Sequence, residues 1–157
     1  MSIAPRISVQ ERDFDVAAEI ERLAGGRKDV GAVVTFTGRC RDEDGTLTAL
    51  ELEHYPGMAE AEISRIAAEA AERWNLLGLT VIHRYGRIAV GENIVLVAAG
   101  SKSRNASFEA ANFLMDYMKS RAPFWKKEHR VDHQEGGWVA SKESDEDALA
   151  AWQKNAY

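Results

Sequence analysis

Between Met118 and Arg130 the chain carries five cations (Lys119, Arg121, Lys126, Lys127 and Arg130) and one anion, Glu128, while its net charge is −5. Pro123, Phe124 and Trp125 sit among them. Clustered cations beside an aromatic wall on an acidic molecule suit a small anion better than an extended polyanion. They also suit proton chemistry. Crowding by like charges and partial burial both favour the neutral form of a lysine, which is a base and a nucleophile.

Helix geometry places the first of these lysines. At 100° per residue, Phe108, Ala111, Leu114, Met115 and Met118 share one apolar face, and Lys119 lies about 20° from Phe108. Lys119 is therefore expected at the edge of that face, partly desolvated. The competing reading is a lysine whose stem covers the core while its charge stays in water. Pro123 ends the helix and pushes Ala122 into an extended conformation. The chain then continues as a strand that can return Lys126 towards Lys119 across a corner walled by Phe124 and Trp125.

Other residues have the right chemistry for an anion. Arg104 opens the same helix, where free N–H groups and the dipole already favour negative charge, and Ser101 and Ser103 add hydroxyls. Yet Arg104 lies roughly 22 Å along the axis from Lys119, too far for one small substrate to touch both in one subunit. Either there are two sites, or a symmetric dimer brings Arg104 of one chain to Lys119 of the other, which is the expectation preferred here. Arg39 and Arg41 flank Cys40 just after Gly38, and arginines at a strand end suit bidentate phosphate binding. A solvated loop paired with Asp42, Glu43 and Asp44 is the alternative.

Four signals are set aside. Cys40 would be acidified between two arginines if exposed, but no catalytic role is expected of it. His129 and His133 have i,i+4 spacing without a helix to present them or a cysteine nearby, so no metal is expected. His83, within a strand, is expected to be structural, and His54 to shape the entry to a helix.

The elements that must position these groups follow from periodicity. Arg6 to Gln10 reads as a short strand. A helix capped by Asp13 or Asp15 carries Val16, Ile20 and Leu23 on one face and ends at Gly25-Gly26. Val30 to Thr37 is β-branched and apolar, a strand expected to be covered on both faces. A charged loop and an alternating strand, Leu47 to His54, lead to a turn at Pro56-Gly57. Ala59, Ile63, Ile66, Ala67, Ala70 and Trp74 mark an amphipathic helix with a Glu69–Arg73 pair on its far side. Strands over Thr80–Tyr85, Arg87–Val90 and Asn93–Ala99 precede the long helix, Ser103 to Arg121. Trp125–Val131 and Trp138–Ser141 are expected to pair as a hairpin around Gly136-Gly137, before a helix over Asp145–Gln153. The sum is α+β: one domain spanning residues 1–157, a mostly antiparallel sheet and two main helices.

Composition narrows the function. Hydrophobic content of 45% and charged content of 29% are those of a globular chain long enough for one core. One cysteine excludes an internal disulfide and points to a reducing cytoplasm. No apolar run approaches a bilayer span, and the N-terminus lacks a signal-peptide core. The acidic balance argues against nucleic acid or an anionic membrane as partner, leaving aromatic-assisted binding of single strands as a minor alternative.

Four segments together resemble the catalytic (large) subunit family of molybdopterin synthase. They are Phe36-Thr37-Gly38-Arg39-Cys40-Arg41, Glu53-His54-Tyr55-Pro56-Gly57-Met58, Ser101 to Phe108, and Lys119 to Glu128. The similarity runs in register from about Val30 to Lys142. It implies an α/β hammerhead-type fold and a central homodimer. Each half binds a small ubiquitin-like carrier whose C-terminal Gly-Gly thiocarboxylate enters the active site, giving a heterotetramer. The implied reaction is sulfur transfer onto cyclic pyranopterin monophosphate (precursor Z), forming the dithiolene of molybdopterin for the molybdenum cofactor. Because the carrier brings the sulfur, the resemblance implies neither a catalytic cysteine, nor a metal, nor a cofactor.

By the same resemblance Lys119 is the candidate for proton transfer or for meeting the carrier's activated acyl group, and Lys126 for stabilising developing anionic charge. Arg41, with Arg39 beside it, and Arg104 are implied substrate contacts, as are Lys127, Glu128 and Lys142. Ser103 stands where the family usually has histidine, and a hydroxyl can bind phosphate but cannot shuttle protons near neutral pH. A non-catalytic docking module for the carrier tail is the alternative.

Overall fold

The strands that carry the site's charged and aromatic groups belong to different sheets. In the computed structural model, which describes residues 3–132, 135–139 and 143–154, the first sheet runs β1 (Arg6–Gln10), β4 (Gly78–Arg84), β6 (Asn93–Ser101), β2 (Ala32–Arg39). The second runs β5 (Gly86–Ala89), β3 (Leu47–His54), β7 (Phe124–Arg130), β8 (Glu135–Val139). Only β1 and β4 pair in parallel; the other described pairings are antiparallel. The expected single sheet is thus two four-stranded ones, which suits the short strands and tight turns of the second half.

Burial follows strand position. β6 is central, and its residues Ile94 to Ser101 are all buried, as a near-continuous apolar run requires. β2 was expected to be covered on both faces but lies at the sheet edge, with Thr35 and Phe36 exposed. β3 was expected to alternate; it buries Leu47, Ala49 and Leu52, so the period of two breaks between Ala49 and Leu52.

Four helices complete the fold: α1 (Val16–Ala24), α2 (Met58–Arg73), α3 (Arg104–Arg121) and α4 (Glu143–Lys154). Asp15 caps α1, its carboxylate accepting from the Ala18 amide at 3.1 Å. Glu60 closes the first turn of α2 by accepting from the Gly57 amide at 2.8 Å. α2 and α3 pack together over the core, burying Ile63, Ile66, Phe113 and Leu114. Arg73 does not pair with Glu69 as expected. Its guanidinium lies over Trp74, 4.7 Å from the ring centre, and also over Phe113 and Trp152, where an arginine is held by aromatic faces. Phe108, expected on the core face of α3, is 59% exposed, beside Val34, Thr35 and Phe36 of the edge strand β2.

α3 stops where Pro123 requires. Ala122 is extended (φ −67°, ψ 131°), and β7 begins two residues later. The hairpin forms, but its turn lies before β8, so Gly136 and Gly137 are strand residues. The pairing slips between Lys127 and His129, an irregularity that strand glycines accommodate.

The start of β2 is locked to the β6–α3 junction. The Gly31 amide donates to the Ser101 carbonyl at 2.9 Å, and a Cβ on Gly31 would stand 2.2 Å from the Lys102 carbonyl oxygen. Backbone on both sides leaves nothing flexible to yield. Gly31→Ala is expected to lower the unfolding free energy by about 1–3 kcal/mol, measured by urea denaturation; a change near zero would show that the junction shifts freely.

Candidate active site

The end of α3, the start of β7 and the ends of β2, β4 and β6 enclose a cavity of about 140 Å³. Arg39, Lys119 and Lys126 line it together with Phe36, His83, Met115, Ser120 and Phe124. The sequence places these residues far apart; the topology converges them.

Each cation reaches the cavity for a separate reason. Arg39 sits where the β2–β6 pairing slips after Gly38, and its guanidinium donates to the Gly91 carbonyl. Cys40 lies behind it, 1% exposed, with its amide on the Glu92 carbonyl at 2.8 Å and its carbonyl accepting from Gly91 at 2.7 Å. Burial pushes its thiol up, so it is an inert packing group and not an acidified one. Lys126 opposes Leu52 across the β3–β7 ladder. Strand alternation puts it on the same face as Phe124 and Glu128 and puts Lys127 on the other. Lys119, in the last turn of α3, is exposed and not partly desolvated as expected.

His83 was expected to be merely structural, but it forms part of the cavity wall. It is 8% exposed, and its ring stacks on Phe124 with 3.8 Å between centres and 12° between planes. Nδ1 lies 2.9 Å from the Arg84 carbonyl oxygen, so Nδ1 carries the hydrogen and Nε2 the lone pair. Its pKa is pushed down to about 4, chiefly by burial, opposed by that backbone hydrogen bond and reinforced by Lys126, His54 and Lys119. Ser120 contributes a buried hydroxyl with no hydrogen-bond partner among the described residues. A signal for His83 was present in the sequence. A strand with Leu79, Val81 and Ile82 in its run ends in two larger polar residues, and buried polar groups need a reason. Arg84 has a structural one: it donates to the carbonyls of Glu11 and Asn93 at 2.9 and 2.8 Å and pairs with Glu92 at 3.1 Å.

Other expected site residues lie elsewhere. Arg41 is exposed, 3.9 Å from Glu43, and does not line the cavity. Ser103 and Arg104 are exposed at the opposite end of α3, where the Ser103 carbonyl accepts from Ser101 Oγ at 2.5 Å. Glu128 sits 4.0 Å from Arg130. Lys142 and His133 fall outside the described residues. Tyr55 and Trp125, both exposed, meet edge to face at 5.4 Å beside the corner.

A histidine held neutral by burial binds fewer protons folded than unfolded. Stability is therefore full above the unfolded pKa near 6.5 and is lost as pH falls towards 4. The loss attributable to His83 is on the order of 3 kcal/mol. Unfolding free energy measured from pH 7 to 4 is expected to fall less steeply in His83→Gln than in the unaltered chain; equal slopes would mean the ring is solvated.

The chain is 69% identical over 154 residues to the molybdopterin synthase catalytic subunit of Mesorhizobium japonicum, covering 98% of this chain and 97% of the relative. Its fold matches the molybdopterin biosynthesis MoaE protein of Burkholderia ambifaria with a TM-score of 0.80 and 41% identity, over 95% of this chain and 98% of that one. At 20% identity and TM-score 0.68, covering 90% and 92%, it shares its fold with a complex of subunits 1 and 2 of molybdopterin-converting factor from Helicobacter pylori. Residues 9–121 match the MoaE protein family, and the chain belongs to that family.

Proposed function

We propose that the cavity holding Arg39, Lys119 and Lys126 is where this chain carries out sulfur transfer. The chain is a sulfurtransferase of molybdenum cofactor biosynthesis, the catalytic side of molybdopterin synthase. The observation that carries the site is the convergence of three cations from α3, β2 and β7 on one small cavity of an acidic protein. Its chemistry fits two anions that must meet: a carrier's C-terminal thiocarboxylate and the cyclic phosphate of cyclic pyranopterin monophosphate. Fixed cations in a partly enclosed site stabilise both and the charge that develops as sulfur adds. Lys119, at the exposed rim, meets the carrier's acyl group, and Lys126, deeper on β7, holds the developing anion.

The partner is a small ubiquitin-like carrier, docked beside the Tyr55–Trp125 pair so that its flexible tail enters the cavity. Arg104 joins the site from a second copy of the chain, giving a homodimer and, with two carriers, a heterotetramer. The open β2 edge and the exposed Phe36 and Phe108 beside it support that pairing. Arg41, Lys127, Glu128 and Lys142 are second-tier contacts of the larger assembled site. No helix among the described residues is long and apolar enough to cross a membrane, which fits the proposed cytoplasmic setting.

Lys119→Ala is expected to bind thiocarboxylated carrier within about threefold of the unaltered protein, while dithiolene formation falls at least about 100-fold. A docking module without chemistry would give no product even with Lys119 intact. The shared site has its own test. Mixing inactive Lys119→Ala and Arg104→Ala chains should restore about a quarter of the activity if each site draws on two subunits, and none if it draws on one.

A further inference from the structure

We propose that His83 is the general base of the reaction, taking a proton from the water that releases the carrier, with Ser120 orienting that water. The inference rests on the reading of the cavity as the place of sulfur transfer. Mass balance demands the water. The carrier arrives as a thiocarboxylate, R–CO–S⁻, and leaves as a carboxylate, R–COO⁻. Once the sulfur has bonded to a substrate carbon, the acyl group is a thioester. Water oxygen then bonds to the acyl carbon, and the carbon–sulfur bond breaks with its electron pair staying on sulfur. Once the departing thiolate is protonated, the products are a carboxylate on the carrier and a thiol on the substrate, with one proton released to solvent and no change of oxidation state. One proton must leave the water as it attacks.

The cations of the cavity suit the other half of this step. Arg39, Lys119 and Lys126 are placed to hold the oxyanion and the departing thiolate. A proton acceptor is also needed, and Glu128 does not line the cavity. His83 does. Its Nδ1 is committed to the Arg84 carbonyl at 2.9 Å, which fixes the tautomer and leaves Nε2 as the basic atom. The Phe124 stack fixes the plane of the ring. Lys126 from β7, Lys119 from α3 and His54 from β3 all act on it, and together with burial they keep the ring neutral over the working pH range. The proton taken by Nε2 is then at hand for the thiolate; the proton of the new carboxylic acid passes to solvent. Ser120 lines the same cavity, and its Oγ is closed to water-sized contact and without a partner among the described residues. A turn of this side chain towards the cavity would satisfy it on the attacking water, and a hydroxyl both donates and accepts.

The test uses the heterotetramer with thiocarboxylated carrier and cyclic pyranopterin monophosphate. His83→Gln keeps an amide that can donate to the Arg84 carbonyl but cannot accept a proton. Turnover is expected to fall between about 10²- and 10⁴-fold, with carrier affinity within about threefold and a carrier–substrate thioester accumulating in the mass spectrum. Ser120→Ala, which leaves the core intact, is expected to slow the same step about tenfold, the loss of one hydrogen bond. Turnover of His83→Gln within threefold of the unaltered enzyme would overturn the proposal. So would a loss of turnover matched by an equal loss of carrier binding and no thioester, the signature of a structural role. Should His83→Gln fail to fold, undiminished turnover and no thioester in Ser120→Ala would overturn it as well. Lys119→Ala run alongside separates the two readings: if it is inactive while His83→Gln is active, the cavity stands and only the base is wrong; if both are active, the cavity is not the site.

Discussion

The stack of Phe124 on His83 is the contact on which the site depends. Phe124 opens β7 in one sheet, and His83 lies in β4 of the other. Two residues before Phe124 the long helix has ended, and two residues after it stands Lys126. One ring contact therefore fixes the end of α3, the entry of β7 and the relation of the two sheets at the place where their charged residues meet. The Pro123 break makes this possible. A continuing helix would carry Phe124 and Lys126 away along its axis, whereas an extended Ala122 turns the chain back across β4 within a few residues.

The helix end carrying Lys119 and Ser120 is held from its outer side too. Trp152 of α4 donates from Nε1 to Asp116 at 2.5 Å, and Arg121 pairs with Glu146 at 2.9 Å. The ion pair is half exposed and contributes little. The aromatic packing contributes more: Trp152 meets both Trp74 and Phe113 edge to face, with Arg73 over all three rings. α4 thus acts as a brace, and the last turn of α3 is rigid at its base while its lysine remains exposed at the rim. That division suits a group that must meet an incoming chain terminus without moving the wall behind it.

Much of this was legible in the residues. The β1 and β3 limits and the stop before Pro123 followed from pattern and from the stereochemistry of proline, which act locally. The family resemblance pointed to Lys119, Lys126 and Arg41, with Arg39 beside Arg41; Lys119, Lys126 and Arg39 line one cavity, and Arg41 does not. What misled was context beyond the local window. Val33, Val34 and Phe36 read as a covered strand because composition does not show which strand ends a sheet. Gly136-Gly137 read as a turn because glycine permits turns, yet here it lies in a strand whose pairing slips. Phe108 fell on the apolar face by angle alone, but a helix face is buried only where something covers it. His83 was set aside because a strand histidine is commonly a satisfied core group, and its role depends on a ring 41 residues later in sequence.

The constraint that remains is length. α3 carries Arg104 at one end and Lys119 at the other, and a straight helix cannot bring them together. A cavity of about 140 Å³ is also small for a tricyclic phosphate and a peptide tail at once. Both facts have the same resolution. On the proposed function, the cavity would hold the reacting end of the carrier and the groups that act on it, while the phosphate would extend outward towards cations of a neighbouring copy. On that arrangement the neutral polar groups, His83 and Ser120, lie where water is scarce and bond breaking occurs, and the solvent-facing cations lie where the charge of the substrate must be held. Burial sorts the chemistry: bases persist inside because the interior disfavours their charged form, and cations persist at the rim because water sustains theirs.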